Sequence, residues 1–254
     1  MINNGKQLEN LYYKMSKHAH YQRLNPLVEN LFNNCTIKPS VNRFECERFL
    51  AIESHIDLVG LTVLDVGGNT GYFSFESIRK GCNLVHYYEG NSEHCEFVKL
   101  AASMIGISDR LNVYSKYFQP SEEVQKVDLI YLLNVLHHIG DDFGIVRNEQ
   151  ACLDSAADML RKYSNLGSYL VFQIGYNWKG DPNRPLFNNG TKSEVIEWLE
   201  SVTAGYWEIM STLIAVQTST GVTYLPKNDE SIVRDDKYGE FFNRPIFILK
   251  SKLC

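Results

Sequence analysis

The run Val63-Leu64-Asp65-Val66-Gly67-Gly68-Asn69-Thr70-Gly71 limits the folds open to this chain more than any other stretch. Apolar residues lead through an aspartate into a glycine-rich turn. The turn opens at once into Tyr72-Phe73-Ser74-Phe75-Glu76-Ser77-Ile78, whose apolar residues recur at helical spacing. A buried strand, a tight turn and a helix N-terminus in that order build a site for a nucleotide-like ligand.

The flanking sequence repeats this alternation. Val63–Val66 reads as a strand and Tyr72–Lys80 as a helix, stopped by Arg79, Lys80 and Gly81. Leu84–Tyr88 is a second strand, ending in Glu89-Gly90, and Asn91 or Ser92 caps a helix carrying Phe97, Leu100, Ala101 and Met104 that stops at Gly106. Leu111–Tyr114 is a short strand, and Val127–Leu133 is continuously apolar, as expected when both sheet faces are covered. Leu153, Ala156, Ala157 and Leu160 share one helix face before a strand at Tyr169–Ile174; a helix at Ser193–Leu199 and strands near Trp207–Val216 and Pro245–Lys250 follow. The last two strands, with no helical pattern between them, suggest an antiparallel pair at the sheet edge; Thr218–Asn243 is polar and carries no clear pattern. The spacing also predicts a helix over Asn42–Leu58 with Phe44, Phe49, Ile52 and Ile56 as its buried stripe, and one or two helices within residues 8–34.

This pattern predicts an α/β three-layer sandwich around a mostly parallel seven-stranded sheet, preceded by N-terminal helices. The expected organisation is an N-terminal helical extension or lid over residues 1–58 and one main domain over 59–254. The chain has 254 residues, long enough for a sizeable core. A net charge of −5 disfavours a broad nucleic-acid-binding face. The six cysteines (Cys35, Cys46, Cys82, Cys95, Cys152, Cys254) form no C-x-x-C pair and no metal-ligand spacing, so they read as reduced thiols of a cytoplasmic protein. The N-terminus lacks an apolar export region and no run approaches a membrane-spanning length, so neither a signal nor a membrane span is expected.

Glycine spacing discriminates between ligands. A dinucleotide turn, G-x-G-x-x-G begun at Gly67, requires glycine where Asn69 and Tyr72 stand. The pattern D-x-G-x-G-x-G is met at Asp65, Gly67 and Gly71, with Asn69 in place of the middle glycine, and asparagine tolerates the φ > 0 backbone that such a turn can need. Here the chain resembles the class I, Rossmann-like S-adenosylmethionine-dependent methyltransferases, over about Val63 to Ile174. Glu89, 18 positions beyond Gly71 at the end of the second strand, is placed to accept hydrogen bonds from both ribose hydroxyls; the alternative is a surface acid capping the next helix.

The resemblance implies S-adenosyl-L-methionine as cofactor, held by Asp65, Gly67, Gly68, Asn69, Gly71, Glu89 and Gly90. It puts the adenine beside Ser115-Lys116-Tyr117-Phe118, where relatives often carry an aspartate that this chain lacks; Tyr117 and Phe118 are the contacts left. It puts the methionine part of the cofactor near Asn134. Leu136-His137-His138-Ile139 after the fourth strand resembles small-molecule methyltransferases of the quinone, phosphobase and glycan-modifying kinds. His138, with His137 beside it, matches a histidine that acts there as a base, and a neutral imidazole can take a hydroxyl proton. A structural histidine pair is the plain alternative, and a metal site from His137, His138, Asp141 and Asp142 the remote one; no metal is expected.

The loop Gly175–Pro185 mixes aromatic and polar residues that suit a sugar acceptor, or else holds Trp178 as a structural ring. The stretch Tyr12–Arg23 is either a lid or a helix packed on the sheet edge. The expected function is methylation of a hydroxyl on a small molecule or saccharide. The alternatives are an RNA or protein methyltransferase, and a cofactor-binding module without catalysis. The sequence does not give the oligomeric state.

Overall fold

The computed structural model describes residues 4–14, 22–32, 43–120 and 125–254. The chain divides into two compact units, Met1–Glu45 with Leu58–Phe118, and Cys46–Asp57 with Gln119–Cys254. Residues 15–21 of the expected lid stretch, and Cys35, lie outside the described residues.

The first unit begins with α1 (Asn4–Lys14) and the single turn α2 (Pro26–Glu29), started by Asn25, whose side chain accepts from the Leu27 amide. Leu8 and Tyr12 are the buried residues of α1. The Tyr12 ring lies 5.9 Å from Phe32 and 5.9 Å from Phe97, so α1 packs on the later helix that carries Phe97. Strands β1 (Thr62–Val66), β2 (Leu84–Glu89) and β3 (Leu111–Ser115) are parallel in the order β3-β2-β1. The second unit includes nearly all of α3 (Glu45–Glu53). Helices α4 (Tyr72–Arg79) and α5 (Ser92–Ile105) make the crossovers between the parallel strands. Asn91 caps α5 by accepting from the Glu93 and His94 amides, and Gly106, at φ +81, ends it.

In the second unit β4 (Val127–Leu133) pairs parallel with β5 (Gly167–Gln173), joined by α6 (Glu149–Tyr163). Cys152, Leu153, Ala156 and Leu160 form the buried stripe of α6. Helix α7 (Lys192–Thr203) starts in a capping box between Thr191 and Glu194. Strands β6 (Trp207–Thr218), β7 (Gly221–Pro226) and β8 (Ile246–Ser251) are antiparallel, with the short helix α8 (Gly239–Asn243) before β8. Their order is β4-β5-β8-β6-β7.

The fold is the expected mostly parallel, Rossmann-like α/β class, with eight strands among the described residues rather than seven. The extra strand is β7, drawn from the polar segment after Thr218, where Gly221 makes a tight return. Strand β7 is therefore outermost, and β8 runs between β5 and β6 instead of at the edge. The helix expected from Asn42 begins only at Glu45. Phe44 stands at φ +60, outside helical backbone, while Phe49, Ile52 and Ile56 keep the buried face.

Candidate functional site

In the first unit the glycine-rich turn follows β1 and has three left-handed residues, Gly67 (φ +70), Asn69 (φ +53) and Gly71 (φ +82). Asparagine at the middle one fits the special tolerance of that residue for such backbone. Every backbone amide from Gly67 to Tyr72 has an acceptor inside the protein. Gly67 and Gly68 donate to the Tyr88 carbonyl and Gly71 to the Gly68 carbonyl. Asn69 donates to the Glu89 carboxylate at 2.9 Å, Thr70 to the Asn69 side chain at 2.8 Å, and Tyr72 to the Gln22 side chain at 3.1 Å. The Ser74 hydroxyl and amide both donate to Asp65, the hydroxyl at 2.6 Å. The Tyr87 hydroxyl donates to the Asn69 carbonyl.

Glu89 ends β2, with one carboxylate oxygen on the Asn69 amide and the other on the Asn91 amide at 2.9 Å. It thus ties the turn to the start of α5 while remaining partly exposed. Gly68 and Gly90 each carry a bare Cα against an aromatic ring. A Cβ on Gly68 would lie 2.4 Å from the Tyr87 ring, and one on Gly90 2.1 Å from the Tyr117 ring. Phe118 is buried, edge-on to Tyr88 at 4.8 Å, so of the two aromatic adenine candidates Tyr117 is the one near the surface.

Burial of Asp65, only partly offset by Ser74 and reinforced by the nearby Glu89 charge, raises its carboxyl from 3.8 to about 7. The folded chain keeps that proton between these values while the unfolded chain releases it, so folding stability falls as pH rises from about 4 to about 7. Asp65→Asn keeps a neutral polar group and removes this slope. Its urea midpoint should rise relative to that of the unaltered protein across the same interval; parallel profiles would mean that Asp65 folds as the anion.

In the second unit Asn134 follows β4 at φ +63. Its side chain is held at both ends: Nδ2 donates to Gln173 Oε1 at 2.8 Å, and Oδ1 accepts from Arg244 at 2.7 Å. Gln173 also accepts from Arg48 at 3.2 Å and donates to the Arg244 carbonyl at 2.9 Å. The Arg244 guanidinium is paired with Glu240 at 2.7 Å, and Glu240 accepts from the Tyr176 amide. Arg48, Gln173, Glu240 and Arg244 were not legible as a group. They are scattered from residue 48 to residue 244, and each is an ordinary polar residue in its local sequence. The one available hint is a polar glutamine directly after the apolar run Tyr169–Phe172 of β5.

His137 and His138 lie in a short 3-10 turn after β4, their rings 4.2 Å apart. His137 is buried and accepts from the Gly175 amide on Nδ1 at 3.3 Å, which puts its proton on Nε2. Burial first, then the charges of Arg244 and His138, holds this imidazole well below its usual range and therefore neutral. His138 is partly exposed, with Nδ1 3.6 Å from Asp142 and 3.9 Å from Asp141. Among the described residues no group of three or more His, Cys, Asp or Glu side chains is placed to hold a metal ion. No helix among them is long and apolar enough to cross a membrane.

Trp178, in the loop after β5, is buried, donates to the Ile139 carbonyl at 2.6 Å and lies under the Arg184 guanidinium at 3.9 Å. Arg184 in turn pairs with Glu149 of α6 at 2.6 Å. The buried indole thus fastens the loop to the segment after β4, and Arg184 ties the same loop to α6.

No protein-family model matches the chain, and no curated protein matches its sequence. Solved structures do match in shape. WbdD, described as a bifunctional kinase-methyltransferase, aligns in one crystal structure with a TM-score of 0.55 at 14% identity, over 96% of this chain and 47% of WbdD. A second WbdD structure gives 0.51 at 14% identity over 96% and 46%. A Pyrococcus horikoshii protein, provisionally described as an RNA methyltransferase, gives 0.49 at 12% identity over 98% and 99%. The chain thus spans less than half the length of WbdD. At these identities the likeness establishes architecture: the chain has a Rossmann-like α/β fold, of the kind found in the kinase-methyltransferase WbdD.

Proposed function

We propose that the protein is an S-adenosylmethionine-dependent methyltransferase acting on a hydroxyl of a small molecule or saccharide. The observation that carries this reading is the closed set of amides from Gly67 to Tyr72. A dinucleotide turn keeps such amides for the pyrophosphate. Here they are spent within the protein, and the nearby ionisable group is the Glu89 carboxylate, an acceptor suited to ribose hydroxyls. That balance favours a nucleoside without phosphates. Of the two activities in the description of WbdD, it supports methyl transfer over phosphoryl transfer. The net charge of −5 weighs against a nucleic-acid acceptor.

In this reading Glu89 holds the ribose, the bare Cα atoms of Gly68 and Gly90 make room for the Tyr87 and Tyr117 rings that shape the turn, and Tyr117 offers the adenine an aromatic face. When bound, the cofactor supplies a methyl group on a sulfonium centre. In the second unit His138, partly exposed and flanked by Asp141 and Asp142, is the group suited to take a proton from a hydroxyl. His137, neutral and with Nδ1 engaged, fixes the backbone at Gly175. Asn134, with its amide held by Gln173 and Arg244, keeps the end of β4 in its left-handed conformation.

A ligand that binds only the folded state raises the melting temperature. S-adenosylhomocysteine should raise it in a concentration-dependent manner while NAD leaves it unchanged. Stabilisation by NAD and not by S-adenosylhomocysteine would overturn the proposal.

A further inference from the structure

The glycine-rich turn holds three left-handed residues among five, and its last residue, Gly71, starts α4 without any side-chain cap of its own. Such a turn keeps its shape only if its polar groups are tied to fixed partners. Most of those partners belong to the local strand-turn-helix unit: the Tyr88 carbonyl, Glu89, the Tyr87 hydroxyl and Asp65. Gln22 does not, since it lies 48 and 50 residues upstream of its two partners. Its side-chain oxygen accepts from the Thr70 hydroxyl and from the Tyr72 amide, each at 3.1 Å. Three residues on, the buried Asn25 donates to the Tyr72 carbonyl at 3.4 Å, and its own oxygen starts α2. Leu24 and Val28, both buried, anchor this segment.

We infer that Gln22 is a positioning residue for the cofactor turn: it supplies from the N-terminal segment the helix cap that Gly71 cannot, and so sets the affinity for the nucleoside. This role rests on the proposed cofactor reading. Gln22 bonds only the protein in these contacts, so its effect comes through pre-organisation of the turn. The division of labour with Glu89 supports this. Glu89 has lone pairs left beyond those on the Asn69 and Asn91 amides and can turn them to a ribose, while Gln22 holds the Thr70–Tyr72 end of the turn.

The test compares the unaltered protein with Gln22→Ala and Gln22→Glu in two measurements. The first is the hydrogen-exchange rate of the Tyr72 amide without ligand. The second is the dissociation constant of S-adenosylhomocysteine by calorimetry. Gln22→Ala should speed Tyr72 exchange and weaken S-adenosylhomocysteine by about tenfold, the loss expected when a part-buried donor is left without its acceptor. Gln22→Glu keeps an acceptor oxygen, and its carboxylate suits a helix N-terminus, so it should restore both to within about threefold. Unchanged exchange and affinity in Gln22→Ala, or a Gln22→Glu protein as weak as Gln22→Ala, would overturn the inference. If the unaltered protein binds no S-adenosylhomocysteine, the cofactor reading itself fails, and the exchange measurement alone decides whether Gln22 braces the turn.

Discussion

Gly68→Ala should destabilise the protein by about 2–3 kcal/mol and abolish measurable binding of S-adenosylhomocysteine. The added Cβ would lie 2.4 Å and 2.5 Å from two atoms of the Tyr87 ring and 3.0 Å from the Asp65 carboxylate. Tyr87 has no room to retreat: it is fully buried in β2, and its hydroxyl is bonded to the Asn69 carbonyl. The backbone of the turn must therefore move, which draws the Asn69 amide away from Glu89 and the Tyr72 amide away from Gln22. Urea unfolding measures the first effect and ligand titration the second. Gly205→Ala is the matched control, because a Cβ there meets nothing within 4 Å. Equal loss in both variants would mean that the clash at Gly68 is relieved at little cost.

Arg244→Met should cost about 3 kcal/mol, because it leaves Glu240 and the Asn134 side-chain oxygen without their cationic partner. Arg244 is 5% exposed, and its guanidinium bonds both groups at 2.7 Å, so water replaces it poorly. A second readout separates electrostatics from packing. The Arg244 charge is one of the causes that depress the His137 imidazole, so its removal should raise that titration toward the ordinary range, with burial still holding it low. Titration of the His137 ring by NMR reports this directly. A destabilised variant whose His137 titrates as before would restrict Arg244 to a packing role.

The contrast between these two sites marks what the sequence could convey. The turn was legible because its signals are local. Apolar β1, glycines at fixed spacing and an amphipathic α4 follow one another within seventeen residues, Val63 to Arg79, and the left-handed backbone at Asn69 agrees with its residue type. Helix α5 was legible for the same reason, with Asn91 at its start and Gly106 at its end. The Arg48–Gln173–Asn134–Arg244 network was not, because its hydrogen bonds join residues 39 to 125 positions apart and leave no periodicity behind. Gln22 escaped in the same way.

Two local misreadings have physical causes as well. Phe44 falls at helical spacing from Phe49 and Ile52, yet its backbone is left-handed, and apolar spacing carries no information about φ. Strand β7 has a single buried residue, Tyr224, so its formation follows from antiparallel pairing with β6 and not from a hydrophobic alternation of its own.

In the proposed function, Glu89 and the turn it holds bind the ribose of a methyl donor. The decisive measurement is calorimetric titration of S-adenosylhomocysteine into the unaltered protein and into Glu89→Gln. The carboxamide preserves size and one acceptor oxygen but loses the charge and the second acceptor. Binding to the unaltered protein should be saturable, and weakened about thirtyfold in Glu89→Gln, the roughly 2 kcal/mol expected for a hydrogen bond to a charged group. Equal affinities for the two proteins, or no binding to either, would contradict it.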